Sequence, residues 1–333
     1  MNSPSNEEVY AVLDTSRQAL RQFMRRRDAY EDAVYSAEGM LLAHRADHGG
    51  LGLEKAYFMI QPEGLGRDAF VREMTLLGHS LERKRNYYRT TRSNGLRYPN
   101  LVKLLTIIGL NRVWQSDTTY YRIGDRYYYL TFILDVYSRL IVGYSVSDNL
   151  KAKANIEALK MAFRYRKGMN LRELIFHSDG GSQYRSEAFV EVLRSQGISS
   201  SMCMKALDNA YAEKLNDVIK NEYLVYWQID NFVKLKRCVK KAVDNYNKVR
   251  HHGQLPLRVA PLEFEHYLRD SKMHKPPLLL IRDGQAEELE YQPMAAQNLT
   301  YPGSGAFGGT SQILPAFVKL GLPKEDGQLA LSF

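Results

Sequence analysis

The apolar positions change period part-way along the chain. In residues 7–27 they recur at helical spacing, with Val9, Leu13, Leu20 and Phe23 on one face. "DTSRQALRQF" reads as a turn followed by a second helix with Thr15 or Ser16 as its N-cap, since a short hydroxyl side chain satisfies the free N–H groups of a first turn. Two short helices around a tight turn make a helix-turn-helix whose second member offers Arg17, Gln18 and Arg21 to DNA, although the same pattern also suits a plain helical bundle. Helix continues over 28–47 until "HGGLG" (48–52) breaks it, and a second helical pair follows, punctuated by Gly64 and Gly66.

The next stretch, "LERKRNYYRTTRSNGLRYPN", has no apolar periodicity. It reads as an extended linker lying on phosphates, with Arg83, Lys84, Arg85, Tyr87, Tyr88, Arg89 and Arg92 able to pair or stack, or else as a purely structural connection. After residue 111 the period shortens. The runs 112–123, 126–138 and 139–147 are β-rich and separated by the short turns "GD" and "SR", which predicts a three-stranded antiparallel meander. A helix at 152–166, a strand at 173–178, a helix at 186–196, a short strand at 198–202 and a long helix from 208 to about 226 complete the order βββαβαβα. That order predicts an α/β fold with a mixed sheet flanked by helices. A further helix over 230–246 carries a lysine-rich face that includes Lys236 and Lys240, and beyond 268 short runs punctuated by Pro and Gly suit a small β-rich appendage or tail. The expected division is 1–47 helix-turn-helix, 48–82 second helical DNA-binding domain, 83–110 basic linker, 111–228 core, 229–267 basic helix of the core and 268–333 appendage.

Composition narrows the partner. The chain has 333 residues and a formal charge of +9, with basic residues clustered at 21–27, 83–92 and 234–241. A polyanion follows, with nucleic acid ahead of an anionic membrane, against the plainer reading that each cluster is a solvated helix face. Only Cys203 and Cys238 are present, far apart, so neither a disulfide framework nor a cysteine zinc site is readable. No apolar run is long enough to span a bilayer and the first ten residues lack the regions of a signal peptide, so a cytoplasmic, nucleoid-associated bacterial protein is expected. There is no G-x-x-x-x-G-K-[ST] run for ATP.

The candidate chemistry lies in acids. Asp117 sits in the first strand of the meander, and Asp179 closes the fourth strand just before a glycine pair, where mixed α/β sheets place ligand-binding groups. Either alone is more simply a turn or helix cap. The helix beginning near residue 208, however, places Asn209, Glu213, Asp217 and Lys220 on one face, and such a helix must pack beside the sheet. Asp117, Asp179 and Glu213 can then meet. Hard oxygen ligands of this kind suit Mg²⁺ or Mn²⁺, and two such ions would activate a water or a 3′-hydroxyl for in-line attack on a phosphodiester.

The runs "WQSDTTY" (114–120), "LDVYSRLIVGY" (134–144), "HSDGGSQY" (177–184), "DNAYAE" (208–213) with "KNE" (220–222), and "YNKVRHHGQL" (246–255) followed by "PLEF" (261–264) resemble the insertion-sequence transposases of the IS-three family, OrfB type, which have a retroviral-integrase-like core. The resemblance covers roughly residues 66–265. It implies a ribonuclease-H-like fold, a DDE triad of Asp117, Asp179 and Glu213, and Mg²⁺-dependent cleavage of an element's ends followed by strand transfer from the freed 3′-hydroxyl. Double-stranded DNA, meaning terminal inverted repeats and target, would be the partner, bound by a homodimer or higher oligomer, with an upstream-frame protein as a further partner. Two departures stand out: the interval from Asp179 to Glu213 is slightly shorter than usual, and Gly180 replaces a commoner arginine.

Other residues take supporting roles. Lys220, two turns after Glu213, suits a DNA-phosphate contact, and Asn209 a helix cap or active-site support. Asp135 and His177 fit packing or orienting roles better than ligation. His251 and His252, in a basic helix-terminal segment, are better explained by DNA or core contacts than by zinc. Two other functions remain weighed against the transposase: a DNA-binding protein that lost catalysis, and a nuclease acting on RNA/DNA hybrids.

Overall fold

A computed structural model describes residues 15–81, 98–203 and 209–270, the strands 278–282 and 285–290, and, near the start, Glu7, Tyr10 and Val12. β2 (Val113–Ile123) and β3 (Arg126–Asp135) form a long antiparallel hairpin, and β4 (Ile141–Ser147) extends it. β5 (Ile175–Ser178) then returns beside β2 in parallel, and β6 (Ser199–Met202) adds in parallel to β5, giving the order β4-β3-β2-β5-β6. Antiparallel strands joined by tight turns on one side and parallel strands joined through helices on the other make the predicted mixed sheet of the ribonuclease-H-like class.

Helices cover both faces. α4 (Ala152–Tyr165) and α6 (Glu187–Arg194), with the one-turn α5 (Ser182–Arg185) between them in the chain, bury Leu159, Ala162, Phe189 and Leu193 against Trp114, Val142 and Phe176. α7 (Ala210–Val218) and α8 (Phe232–Lys248) pack Leu215, Ile219, Leu235 and Val239 on the opposite face, against Leu130, Phe132 and Ile141. α7 does not run on as a regular helix to 226. It widens into a five-residue π-turn, Ile219–Tyr223, and closes with a short 3₁₀ turn, Leu224–Tyr226.

The structure corrects three boundaries. α1 (Arg17–Asp47) is one helix of 31 residues, capped by Ser16, whose side chain accepts from the Ala19 N–H at 3.1 Å, so the second member of the expected helix-turn-helix is not short. Most of the first member, including Val9 and Leu13, lies outside the described residues. The second half of α1 also shares one core with α2 (Leu53–Ile60) and α3 (Arg67–Leu76), where Ala37, Leu41, Ala56, Ile60, Phe70 and Met74 meet, so no domain boundary falls between 47 and 48. Finally, residues 98–110 are not linker. Val102 and Ile107 are buried with Val113 and Phe264, the latter from α9 (Pro261–Arg269). β1 (Thr106–Ile107) pairs with β7 (Leu278–Arg282), which pairs with β8 (Gln285–Glu290) in a separate three-stranded sheet. The β-rich appendage is thus stitched to the core by a contact far away in sequence. Among the described residues no helix is long and apolar enough to cross a membrane.

Candidate active site

Alternation along β2 decides which side chains reach which layer. Ser116 and Thr118 point to the α4–α5 side. There the buried Tyr184 hydroxyl lies 2.8 Å from Ser116 Oγ and 3.1 Å from Thr118 Oγ1, and Asn155 Nδ2 donates to Thr118 Oγ1 at 3.2 Å. Asp117 and Thr119 point the other way, toward α7. The Thr118 N–H donates to Asp117 Oδ1 at 2.9 Å, and Asn216 Nδ2 donates to its Oδ2 at 2.7 Å.

Asp179 follows the last residue of β5, the strand paired in parallel with β2. Its Oδ1 accepts from the Gly181 N–H at 3.1 Å. A Cβ on Gly181 would lie 2.6 Å from Gln183 Nε2 and 3.0 Å from Asp179 Oδ1, so the second glycine of the pair is what lets backbone close over the carboxylate.

The helix face turned to β2 is Asn209, Glu213, Asn216 and Lys220. Asn209 is buried and donates Nδ2 to the Ser116 carbonyl at 3.0 Å, and Lys220 Nζ donates to Thr119 Oγ1 at 3.2 Å and lies 5.4 Å from the centre of the Tyr120 ring. Asp217, placed on this face by the sequence reading, instead lies exposed and pairs with Lys214 at 2.8 Å and Asn221 at 2.5 Å. The reading followed a spacing of four from Glu213 where the geometry uses three, and so missed Asn216. The alternation of Ser116, Asp117 and Thr118 was the other available signal: it puts hydroxyls on one side of the strand and the acid on the other.

Burial of neighbouring carboxylates is the main electrostatic feature. Burial, then the negative charges of Asp179 and Glu213, push the Asp117 carboxyl up to about 7 against the Thr118 and Asn216 hydrogen bonds. Burial also raises Asp179, opposed by the Gly181 N–H and Arg185, and burial with the Asp179 charge raises Glu213. Burial lowers the Lys220 ammonium, while Asp217 and Asp117 pull it back up. Such a cluster stores repulsion that a cation would relieve. Among the described residues no three His, Cys, Asp or Glu side chains converge tightly enough to hold one ion between them. Magnesium is characteristically held by one or two carboxylates plus water and substrate phosphate, so these acids suit such an ion without forming a three-carboxylate cage.

The other predicted residues are spread out. Arg17, Gln18 and Arg21 are exposed on the first turns of α1. Arg83, Lys84, Arg85, Tyr87, Tyr88, Arg89 and Arg92 lie outside the described residues. On α8, Lys236 is exposed and sits 4.2 Å from the centre of the Phe232 ring, whereas Lys240 pairs with Asp244 at 2.7 Å. His177 is buried, with Nδ1 2.8 Å from Ser201 Oγ, which in turn accepts from the Leu101 N–H at 2.9 Å. Asp135 is enclosed at the far end of β3, about 10 Å along the sheet from Asp117. It accepts from the Asn111 and Tyr137 N–H groups and faces Arg166 at 3.3 Å, while Arg166 makes a bidentate pair with Glu265 at 2.5 and 2.6 Å.

Comparison with known proteins identifies the family. The Integrase core domain family matches residues 109–206, a span that contains Asp117 and Asp179. A protein of insertion sequence element IS986/IS6110 from Mycobacterium tuberculosis is 32% identical over 54% of this chain and 69% of its own. The transposase for insertion sequence element IS904 from Lactococcus lactis is 31% identical over 58% of this chain and 78% of its own. Among solved structures, the HTLV-2 integrase catalytic core in complex with magnesium is 21% identical, covers 50% of this chain and 99% of that chain, and has a TM-score of 0.37. The chain belongs to the insertion-sequence transposases of the IS-three family, polynucleotidyl transferases built on an integrase core.

Proposed function

We propose that this transposase binds the terminal inverted repeats of its element, cleaves the DNA ends and joins them to target DNA through two divalent ions, Mg²⁺ or Mn²⁺, held by Asp117, Asp179 and Glu213. The observation that carries the reading is that Asp179, at the end of β5, and Glu213, on α7, lie near enough to Asp117 on β2 for their charges to add to the burial that raises its carboxyl to about 7. When bound, the ions would activate the attacking oxygen and neutralise charge on the leaving one.

The chain's own residues do the rest. Asn216 fixes the Asp117 rotamer by donating to Oδ2, leaving Oδ1 to the Thr118 N–H. Gly181, with no Cβ to meet Asp179 Oδ1 or Gln183, lets its N–H orient the Asp179 carboxylate. Lys220, tethered to Thr119 two residues beyond Asp117, is placed to take a phosphate oxygen beside the reacting bond. Exposed Arg17, Gln18 and Arg21 would read the element's ends, and the basic stretch 83–92 with Lys236 and Lys240 would carry the sequence-independent grip on the duplex. Joining two ends requires at least two active sites, so a homodimer or larger assembly on DNA is part of this reading, with an upstream-frame protein as a further partner and the nucleoid as the place of action.

The test is incubation of the purified protein with labelled DNA from its own element's ends and Mg²⁺, beside Asp179→Asn. Metal-dependent nicks and joined products that vanish in the variant support the reading. Binding with no cleavage would refute the catalytic part, and cleavage that survives in the variant would refute the triad.

A further inference from the structure

The π-turn that follows α7 has two working sides. One side meets β2 beside the carboxylates, through Lys220 on Thr119, four residues after Asn216 of α7 reaches Asp117. The other is held by Arg250, just beyond α8, and by the helical bundle. Glu222 Oε1 accepts from Lys55 Nζ on α2 at 3.0 Å, and its two oxygens receive Arg250 Nη2 and Nε at 2.9 and 2.7 Å. The Glu222 carbonyl accepts from the Gly50 N–H at 2.9 Å. Burial pushes the Glu222 carboxyl up, but the hydrogen bonds and charges of Arg250 and Lys55 outweigh it and hold it below its ordinary value.

The glycines at 49 and 50, which the sequence presents only as a helix break, are shaped to this contact. A Cβ on Gly49 would lie 2.3 Å from Tyr226 Cγ, and one on Gly50 would lie 2.5 Å from Glu222 Cα and 2.8 Å from the Asn221 carbonyl. Beside them the His48 and Tyr223 rings meet edge-on at 5.6 Å.

We propose that Lys55 and Glu222 are positioning residues for catalysis: the bundle's grip on Glu222 sets the π-turn, and through it the placement of Asn216, Lys220 and Glu213 against Asp117. The inference rests on the reading of those carboxylates as the catalytic centre. It gives the amino-terminal bundle a second task besides any contact with DNA, because the segment it holds begins three residues after Asn216 and contains Lys220. Lys55 is 41% exposed and lies on a different element from every carboxylate of the cluster, so its removal leaves the core packing intact.

Full-length Lys55→Ala, Lys55→Arg and Glu222→Gln would be compared with wild type in three measurements: thermal melting, affinity for element-end DNA in EDTA, and single-turnover nicking at saturating DNA with Mg²⁺. Lys55→Ala is expected to slow saturated nicking about tenfold, equivalent to about 1.4 kcal/mol in the barrier. Its melting temperature should stay within a few degrees of wild type and its DNA affinity within about twofold, and Lys55→Arg should restore the rate, since it keeps the charge. A saturated rate unchanged in Lys55→Ala, or a fall in affinity alone, overturns the inference. A metal-free arm uses Trp227, whose ring lies 6.0 Å from Tyr223: its emission should change in Lys55→Ala, and unchanged emission means the turn does not depend on the grip. Loss of nicking in Asp179→Asn is scored separately, so failure of the triad and failure of this coupling give different results.

Discussion

Replacing Asp117 by asparagine should stabilise the metal-free protein at neutral and alkaline pH. In the folded chain this carboxyl is raised from 3.8 to about 7 by burial and by Asp179 and Glu213. Below about pH 4 the folded and unfolded chains both hold the proton and the crowding costs nothing. Between about 4 and about 7 only the folded chain holds it, so the folded state loses stability as pH rises; above about 7 the penalty is constant. The full separation corresponds to about 4 kcal/mol, an upper bound because the carboxyl keeps some contact with solvent. The substitution removes the charge at little cost in hydrogen bonding. The Thr118 N–H still has an oxygen to donate to, and Asn216 Oδ1, buried without a hydrogen-bond partner, can accept from the new amide once the Asn216 side chain flips. Urea titrations in EDTA at pH 8 and pH 4.5 measure the effect. The variant should gain about 2–4 kcal/mol at pH 8 and much less at pH 4.5, and Mg²⁺ should narrow the gap at pH 8 by stabilising wild type. A variant equal to or weaker than wild type at pH 8 in EDTA would refute the crowding argument.

Other substitutions separate the site from its scaffold. Gly181→Ala should slow end nicking roughly ten- to a hundredfold by displacing Asp179, with a change in urea stability of about 1 kcal/mol or less. Glu265→Gln should cost about 3–5 kcal/mol in the same titration, because it leaves the wholly buried Arg166 with Asp135 alone at 3.3 Å. On α8, Lys236→Gln should reduce the salt dependence of DNA binding by about one released counterion, while Lys240→Gln should do less, because Asp244 already offsets that charge. Equal slopes for the two variants would mean that the Asp244 pair opens when DNA binds.

The sheet was legible because its signals are local. The runs around 113–123, 126–135 and 141–147 carry β-formers bounded by tight turns, and the structure begins and ends each strand within a few residues of those marks. The two aspartates were legible as strand positions beside unusual neighbours. The helix face was read one residue out, because spacings of three and four are equally available on a helix and only packing chooses between Asn216 and Asp217. What escaped entirely is long-range. Nothing near Thr106 announces a partner at Leu280, and nothing in "HGGLG" announces that its glycines touch Tyr226 and Glu222. Asp135 and Glu265 are an ion cluster only through Arg166, which lies 31 residues from one and 99 from the other.

The mixed pairing of β2 bears on when a DNA-cutting centre comes into being. Its antiparallel edge joins β3 through a two-residue turn and can close as soon as that hairpin has been made. Its parallel edge must wait for β5, with α4 intervening, and the last carboxylate arrives later still on α7. Loop closure over such separations is slow, so during synthesis the chain passes through a stage in which the hairpin is formed and the acids are still apart. The ordering spares the nascent protein the repulsion of three clustered carboxylates until most of the sheet exists to bear it. On the proposed assignment, a chain cut short before residue 213 would own a folded hairpin and lack one acid of the triad.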